Sequence, residues 1–311
     1  MCVVNQTEVT EFLLLGFKGL YKYKWLFFII FLFFYLIILT GNLLIVVLVS
    51  TNEKLNIPMF IFLKHLAVAD ILITTTIMPM MLNIILLDVK EIPVRICIIQ
   101  LYLFFIFGFI QSFLIAIMSY DRYLAICNPM HYHSIMQPNV CFKMVLCSWF
   151  LLFVLSLEII FFWQLEFCGQ NVIDHFFCDS VPLVELATSD THLLVSFDLV
   201  LTIIVGVTPF ALIILSYIRI FFTIITLPST SGRGKAFSTC SSHLTTVCIY
   251  YGTIIMVYMV PSDDSSLSTS KFLSLLYIVV TPIMNPIIYS LRNQEIRRTL
   301  QQMFRKLEGY N

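Results

Sequence analysis

The sequence predicts an all-α membrane protein: a seven-transmembrane helix bundle with a short amphipathic C-terminal helix on the inner leaflet. Three observations predict it. Of 311 residues, 59% are hydrophobic and only 12% charged, against about 25% charged in an ordinary globular domain. A soluble fold could not bury so much apolar surface, so lipid must be its solvent. Seven apolar runs are long enough to cross a bilayer, which takes ~20 helical residues. Finally, Lys and Arg are spread unevenly over the connections between these runs.

The runs lie near 25–49, 57–87, 95–126, 140–162, 196–224, 236–260 and 271–291. The second, third and fifth exceed the minimum, which predicts tilt or extension into solvent. The N-terminus and the even-numbered connections hold Lys18, Lys22, Lys24, Lys90, Arg95 and Lys271. The other twelve basic residues lie on or toward the opposite side, five of them between Arg292 and Lys306. The positive-inside rule makes that side cytoplasmic and the N-terminus extracellular. Three regions follow: an extracellular N-terminus (1–24), a seven-span bundle (25–291) and a cytoplasmic tail (292–311). No cleavable signal is expected before the first run. Asn5-Gln-Thr7 is a glycosylation acceptor pattern on the expected outer side. In the tail, Ile296, Leu300, Met303, Phe304 and Leu307 recur at helical spacing, with Arg297, Arg298, Arg305 and Lys306 between them, as in a helix lying on a membrane surface.

Net charge is zero, so no nucleic-acid partner is indicated. There are nine cysteines. Cys97 and Cys178 both fall on the outer side, where oxidising conditions allow a disulfide that pins the long fourth connection over the bundle. Cys168 is left over, either a free thiol or a partner for another group. Cys127, Cys141, Cys147, Cys240 and Cys248 are expected as small buried hydrophobes. The fourth connection holds Glu166, Asp174, Asp179, Glu185 and Asp190 but no Lys or Arg, and a solvated loop accounts for these acids. His175, Cys178 and Asp179, or Cys240 and His243, have ligand-like spacing. A disulfide-bonded cysteine cannot serve as a thiolate ligand, so neither a metal site nor a cofactor is expected.

Two motifs carry the functional reading. Met118-Ser-Tyr-Asp-Arg-Tyr-Leu-Ala-Ile-Cys127 sets Asp121 and Arg122 at the end of an apolar run, an expensive place for charge unless it acts. Pro282-Ile-Met-Asn-Pro-Ile-Ile-Tyr289 interrupts the last span. Together they resemble the switch apparatus of rhodopsin-like G-protein-coupled receptors. The resemblance narrows to vertebrate olfactory (odorant) receptors through Leu55-Asn-Ile-Pro-Met-Phe60, Ser216-Tyr217, Lys235-Ala-Phe-Ser-Thr-Cys-Ser-Ser-His-Leu244, Tyr250-Tyr-Gly252 and the extension to Ser-Leu-Arg-Asn293. There are two departures. Thr188 stands where a further loop cysteine is usual, and Gln111 stands where the family often has Glu.

The resemblance implies a receptor for small, mostly neutral volatile ligands, coupled to a heterotrimeric G protein of the stimulatory, olfactory type that raises cyclic AMP. Asp121, Arg122, Tyr123, Tyr217, Lys235, His243, Asn285, Pro286 and Tyr289 form its coupling and switch set. Arg122 is held by Asp121 at rest and swings toward Tyr217 on activation, while Lys235 and His243 border the same inner surface. Asn42, Asp70 and Gln111 join Asn285 and Tyr289 in a polar core. The core is a two-state switch, with static packing between helices as the alternative. Sodium binding at Asp70 is weakened by the amide at Gln111. Amine receptors of the wider class place an acid where Phe104 stands, so the ligand is expected to be neutral. Its pocket is assigned to Phe104, Phe105, Gly108, Phe109 and Ser112, facing Thr202, Ile203, Gly206, Tyr251, Ile255, Tyr258, Leu275 and Ile278. Each of these positions taken singly fits plain helix packing. A same-fold receptor for another small molecule is the alternative. A transporter would show repeats and midplane charge, and an enzyme a nucleophile–base motif; neither appears. Glu158 and Asp198 have no assigned role.

Overall fold

The structure is a computed structural model that describes residues 7–17, 21–87, 90–259, 267–292 and 294–308. Among the described residues seven helices are long and apolar enough to cross a membrane: Lys24–Thr51, Pro58–Leu87, Val94–Cys127, Pro138–Trp163, His192–Thr226, Cys240–Val257 and Lys271–Tyr289. They match the predicted spans to within a few residues. The fifth starts earlier than expected, at His192, which shortens the fourth connection. The sixth helix begins at Thr230, before the expected 236.

Proline shapes two of these helices. The fifth passes through a π turn at Thr202–Val207 just before Pro209, which has no N–H to give to the turn behind it. The seventh has a π turn at Leu276–Val280 before Pro282. Further on, Pro286 cannot donate to the carbonyl four residues back. That carbonyl, of Pro282, accepts the Asn42 side-chain amide at 3.0 Å. Gly41 lets the first helix approach the Pro286 ring, which a Cβ at position 41 would meet at 3.1 Å.

The chain is not purely helical. Strand β1 (Glu11–Leu14) lies between β2 (Lys90–Pro93), to which it is antiparallel, and β3 (Val172–Ile173), to which it is parallel. Phe12 and Leu14 of β1 are buried in a second apolar core with Ile92, Leu101, Phe162, Phe167, Ile173 and Leu183. Gly16 follows at φ 59°, with its α-carbon face against Ile84 where no side chain fits. The Cys97–Cys178 disulfide sits in the same core, with Cα atoms 5.4 Å apart. Cys168 is also disulfide-bonded, which removes the free-thiol alternative. Of the five free cysteines, Cys141 and Cys240 are buried as expected, Cys127 is half-buried, and Cys147 and Cys248 face outward. The C-terminal helix, Gln294–Glu308, buries Ile296 and exposes Arg297 and Arg298. Asn5 lies outside the described residues.

Candidate functional site

The site has three connected parts: a cavity toward the sheet end, a polar core at mid-depth, and a charged lock at the opposite end. The cavity encloses about 460 Å³, within the range of about 300–1,000 Å³ usual for small-molecule sites. It is lined by Phe104, Phe105, Gly108, Phe109 and Ser112 of the third helix, by Thr202 and Gly206 of the fifth, Tyr251 and Ile255 of the sixth and Ile278 of the seventh. These are ten of the expected positions.

Two expected residues lie elsewhere. Ile203 is 49% exposed on the outside of the bundle, and Leu275 packs against the core without reaching the cavity. Both sit at or beside a π turn, whose extra residue rotates the neighbouring side chains away from regular α-helical facing. The side chain of Tyr258 lies outside the described residues.

The expected set omitted other walls. Val205, Phe210, Tyr250, Ile254, Ser274 and Tyr277 line the cavity from the fifth, sixth and seventh helices. Phe177, Asp179, Ser180 and Val181 enter it from the fourth connection. The disulfide at Cys178 ties that segment to the third helix, and this was the signal that could have placed Phe177 and Asp179 there. Asp179 is therefore not a solvated loop acid. It accepts the Ser180 N–H at 2.7 Å, and its enclosure, with Asp198 nearby, raises its carboxyl to about 6. Asp174 is not free either, since it pairs with Lys271 at 2.6 Å.

Hydroxyls tie the cavity walls together. Ser112 donates to the carbonyl of Val205 at 2.8 Å, in the π turn before Pro209, and its oxygen lies 2.9 Å from the Tyr251 hydroxyl. Tyr250 donates to the Gly108 carbonyl at 2.9 Å. The absence of a side chain at Gly108 leaves room for Tyr277, whose hydroxyl lies 3.0 Å from where a Cβ would stand.

From Tyr277 a chain of hydrogen bonds runs inward. Its hydroxyl donates to Gln111 Oε1 at 3.2 Å. Gln111 Nε2 donates to Asp70 Oδ1 at 2.7 Å, and Asn285 Nδ2 donates to Asp70 Oδ2 at 2.8 Å. Asp70 is fully buried, so these two donors replace the water its carboxylate would otherwise need. Three expected residues, Asp70, Gln111 and Asn285, thus share one hydrogen-bond chain, whereas Asn42 donates to the Ile38 and Pro282 carbonyls instead. Tyr289 is buried nearby, and its hydroxyl has no hydrogen-bond partner among the described residues.

At the far end, Asp121 is fully buried and grips the Arg122 guanidinium, with Arg122 Nε at 3.0 Å. Its second oxygen accepts the Tyr132 hydroxyl at 2.8 Å, from the short helix Pro129–Ile135. Tyr123 is half-buried and stacks on Tyr120 at 6.2 Å. His243 is not at the inner surface as expected. It is fully buried, with Nε2 3.1 Å from the Ile115 carbonyl and Nδ1 2.7 Å from the Tyr217 hydroxyl. A carbonyl can only accept, so Nε2 carries the proton and Nδ1 accepts from Tyr217. One neutral imidazole thus pins the third, fifth and sixth helices together. The side chain of Lys235 lies outside the described residues. Among the described residues no group of His, Cys, Asp and Glu is placed to hold a metal.

Buried polar layers, a cavity inside the bundle and a locked arginine at one end belong to the architecture of seven-helix receptors. The fold matches a crystal structure of squid rhodopsin with a TM-score of 0.72, at 19% identity over 92% of this chain and 87% of that one. The family model described as olfactory receptor matches residues 31–307. Olfactory receptor 1 of Rattus norvegicus is 43% identical over 97% of this chain and 96% of its own length. Olfactory receptor 10A3 of Homo sapiens is 42% identical over the same shares of both chains. The chain belongs to the olfactory receptor family of G-protein-coupled receptors, multi-pass membrane proteins that are receptors and not enzymes.

Proposed function

We propose that this chain is an odorant receptor. It binds small, mostly neutral volatile molecules in the cavity and activates a stimulatory G protein, raising cyclic AMP. The sheet end and residues 1–24 face outside, and the tail from 292 faces the cytoplasm. The observation that carries this reading is the unbroken chain from Tyr277 in the cavity wall through Gln111 and Asp70 to Asn285. A ligand that shifts Tyr277 changes the donors available to a buried carboxylate, whose desolvation makes it sensitive to them. Asn285 and Pro286 lie in the motif that shapes the seventh helix, so the change reaches the G-protein end.

There Asp121 holds Arg122 until the fifth and sixth helices part. The Tyr217–His243 bond is the contact that must give way if Tyr217 is to receive Arg122. Sodium has little to gain at Asp70, because Gln111 and Asn285 already donate to both carboxylate oxygens. The test is cyclic AMP in cells expressing the chain, challenged with a panel of neutral volatiles. A response that disappears in Arg122→Ala at equal surface expression supports the reading. A response that survives the substitution removes Arg122 from the mechanism.

A further inference from the structure

The cavity's wall carries two carboxylates and, among the described residues, no cation. Asp198 belongs to the same face of the fifth helix as Thr202 and Val205, at intervals of about one helical turn, and all three line the cavity. Its carboxylate has no hydrogen bond or ion pair among the described residues. Asp179 faces the same space from the disulfide-tethered segment and uses one oxygen to accept the Ser180 N–H. A third carboxylate, Glu158, is 7% exposed, and its Oε1 has no hydrogen-bond partner among the described residues. It lines a small crevice whose wall includes Phe105 and Phe109, the same stacked pair that lines the main cavity. Asp198 lies within electrostatic reach of both Glu158 and Asp179.

Three acids around apolar walls, with no counter-charge among the described lining residues, are costly to fold. A cation entering the cavity offsets that cost. The remaining walls suit an organic cation better than a bare ion. Phe104, Phe210, Tyr250, Tyr251 and Tyr277 present aromatic rings, which cover apolar carbon and attract ammonium groups.

We propose that the sheet-end half of the cavity recognises protonated amines, with the ammonium against Asp198 and Asp179 and the hydrocarbon body on the aromatic floor. The inference rests on reading this cavity as the ligand pocket. It extends the ligand set beyond the neutral class expected from Phe104: the counter-ion comes from the fifth helix and the tethered loop instead of the third helix.

The test is thermal unfolding of the full-length receptor in nanodiscs, read without a G protein, with matched pairs: cyclohexylmethylamine against cyclohexylmethanol, and 2-phenylethylamine against 2-phenylethanol. The amine of each pair is expected to stabilise at concentrations roughly ten-fold lower than the alcohol, the scale of one hydrogen bond to a charged group. Asp198→Asn, which keeps the shape and removes the charge, is expected to abolish that preference while leaving the alcohol's effect. Alcohols equal to or better than amines on the unaltered receptor would overturn the amine inference and leave the pocket standing. No effect from either member of any pair would overturn the pocket reading and the inference with it. Stabilisation by calcium chloride alone that Asp198→Asn removes would reassign the acids to a metal ion and overturn the amine assignment.

Discussion

The third and fifth helices are both part of the cavity wall, yet they are held in opposite ways. In the most apolar stretch of the third, 56% is buried within the protein; in the fifth, 22% is. The third helix meets its neighbours through Gln111–Asp70, Ser112–Val205 and the Cys97–Cys178 bridge. The fifth shows Leu199, Leu212, Leu215 and Phe222 to the outside and is bent by its own proline. Its polar ties across the bundle are few: the Val205 carbonyl and Tyr217 to the third and sixth helices, and Thr223 beside Cys127. A helix fixed by packing is a frame, and one fixed by a few hydrogen bonds can move when they are exchanged. The second, third and seventh helices therefore form the frame, and the motion falls to the fifth and sixth.

Breaking the frame is expected to have the largest effect. Cys178→Ser unties the sheet end from the third helix and is expected to cost about 2–5 kcal/mol of stability, seen as lost surface expression. Gln111→Leu leaves Asp70 Oδ1 buried without a donor and costs about 1–3 kcal/mol, measured as a lower Tm in nanodiscs. Gln111→Glu tests the same point: with a second carboxylate beside Asp70, stability is expected to become more sodium-dependent than that of the unaltered chain, read as Tm against sodium concentration.

The sheet end is expected to answer to acid. Burial, with the Lys271 ammonium adding to it, holds the His175 imidazole down to about 3. Stability from neutral His175 is complete above about pH 6.5 and is lost as pH falls, because the unfolded chain takes up a proton that the folded one refuses. Asp179, raised to about 6, works in the opposite direction, gaining stability as pH falls through that value. The clean measurement is the difference between His175→Phe and the unaltered chain. At about pH 5 the variant is expected to gain ~2 kcal/mol relative to its standing at neutral pH. Ser112→Ala, which removes one donor from the Val205 carbonyl, is the smallest change, about 1 kcal/mol, and is expected to loosen the fifth helix as read by faster hydrogen exchange there.

The frame was largely legible in the sequence. Twenty-residue apolar runs announce spans, and the resemblance named Asp70 and Asn285 for one polar core and Asp121 and Arg122 for one pair, as they are bonded here. The movable wall was less so. Ile203 and Leu275 were misplaced because a π turn leaves no mark on a hydrophobic pattern read at 3.6 residues per turn. Strand β1 was missed for another reason: four alternating residues are a faint signal, and its partners lie some 80 and 160 positions away. His243 was placed at the inner surface through the resemblance alone, beside Lys235. Only the Ile115 carbonyl and Tyr217, distant in sequence, show why it is buried. Tyr277 was overlooked beside Ile278, since a phenol at one cavity wall has no meaning until Gln111 is seen across from it.

If the Tyr277–Gln111–Asp70–Asn285 chain carries the signal, Tyr277→Phe, which deletes one hydroxyl and keeps the ring, must weaken it. The measurement is cyclic AMP against dose for a panel volatile that activates the unaltered receptor, at equal surface expression, beside binding of the same volatile in nanodiscs. Near-normal binding with a maximal response reduced several-fold is expected. An unchanged maximal response would contradict it and leave the chain as packing between helices.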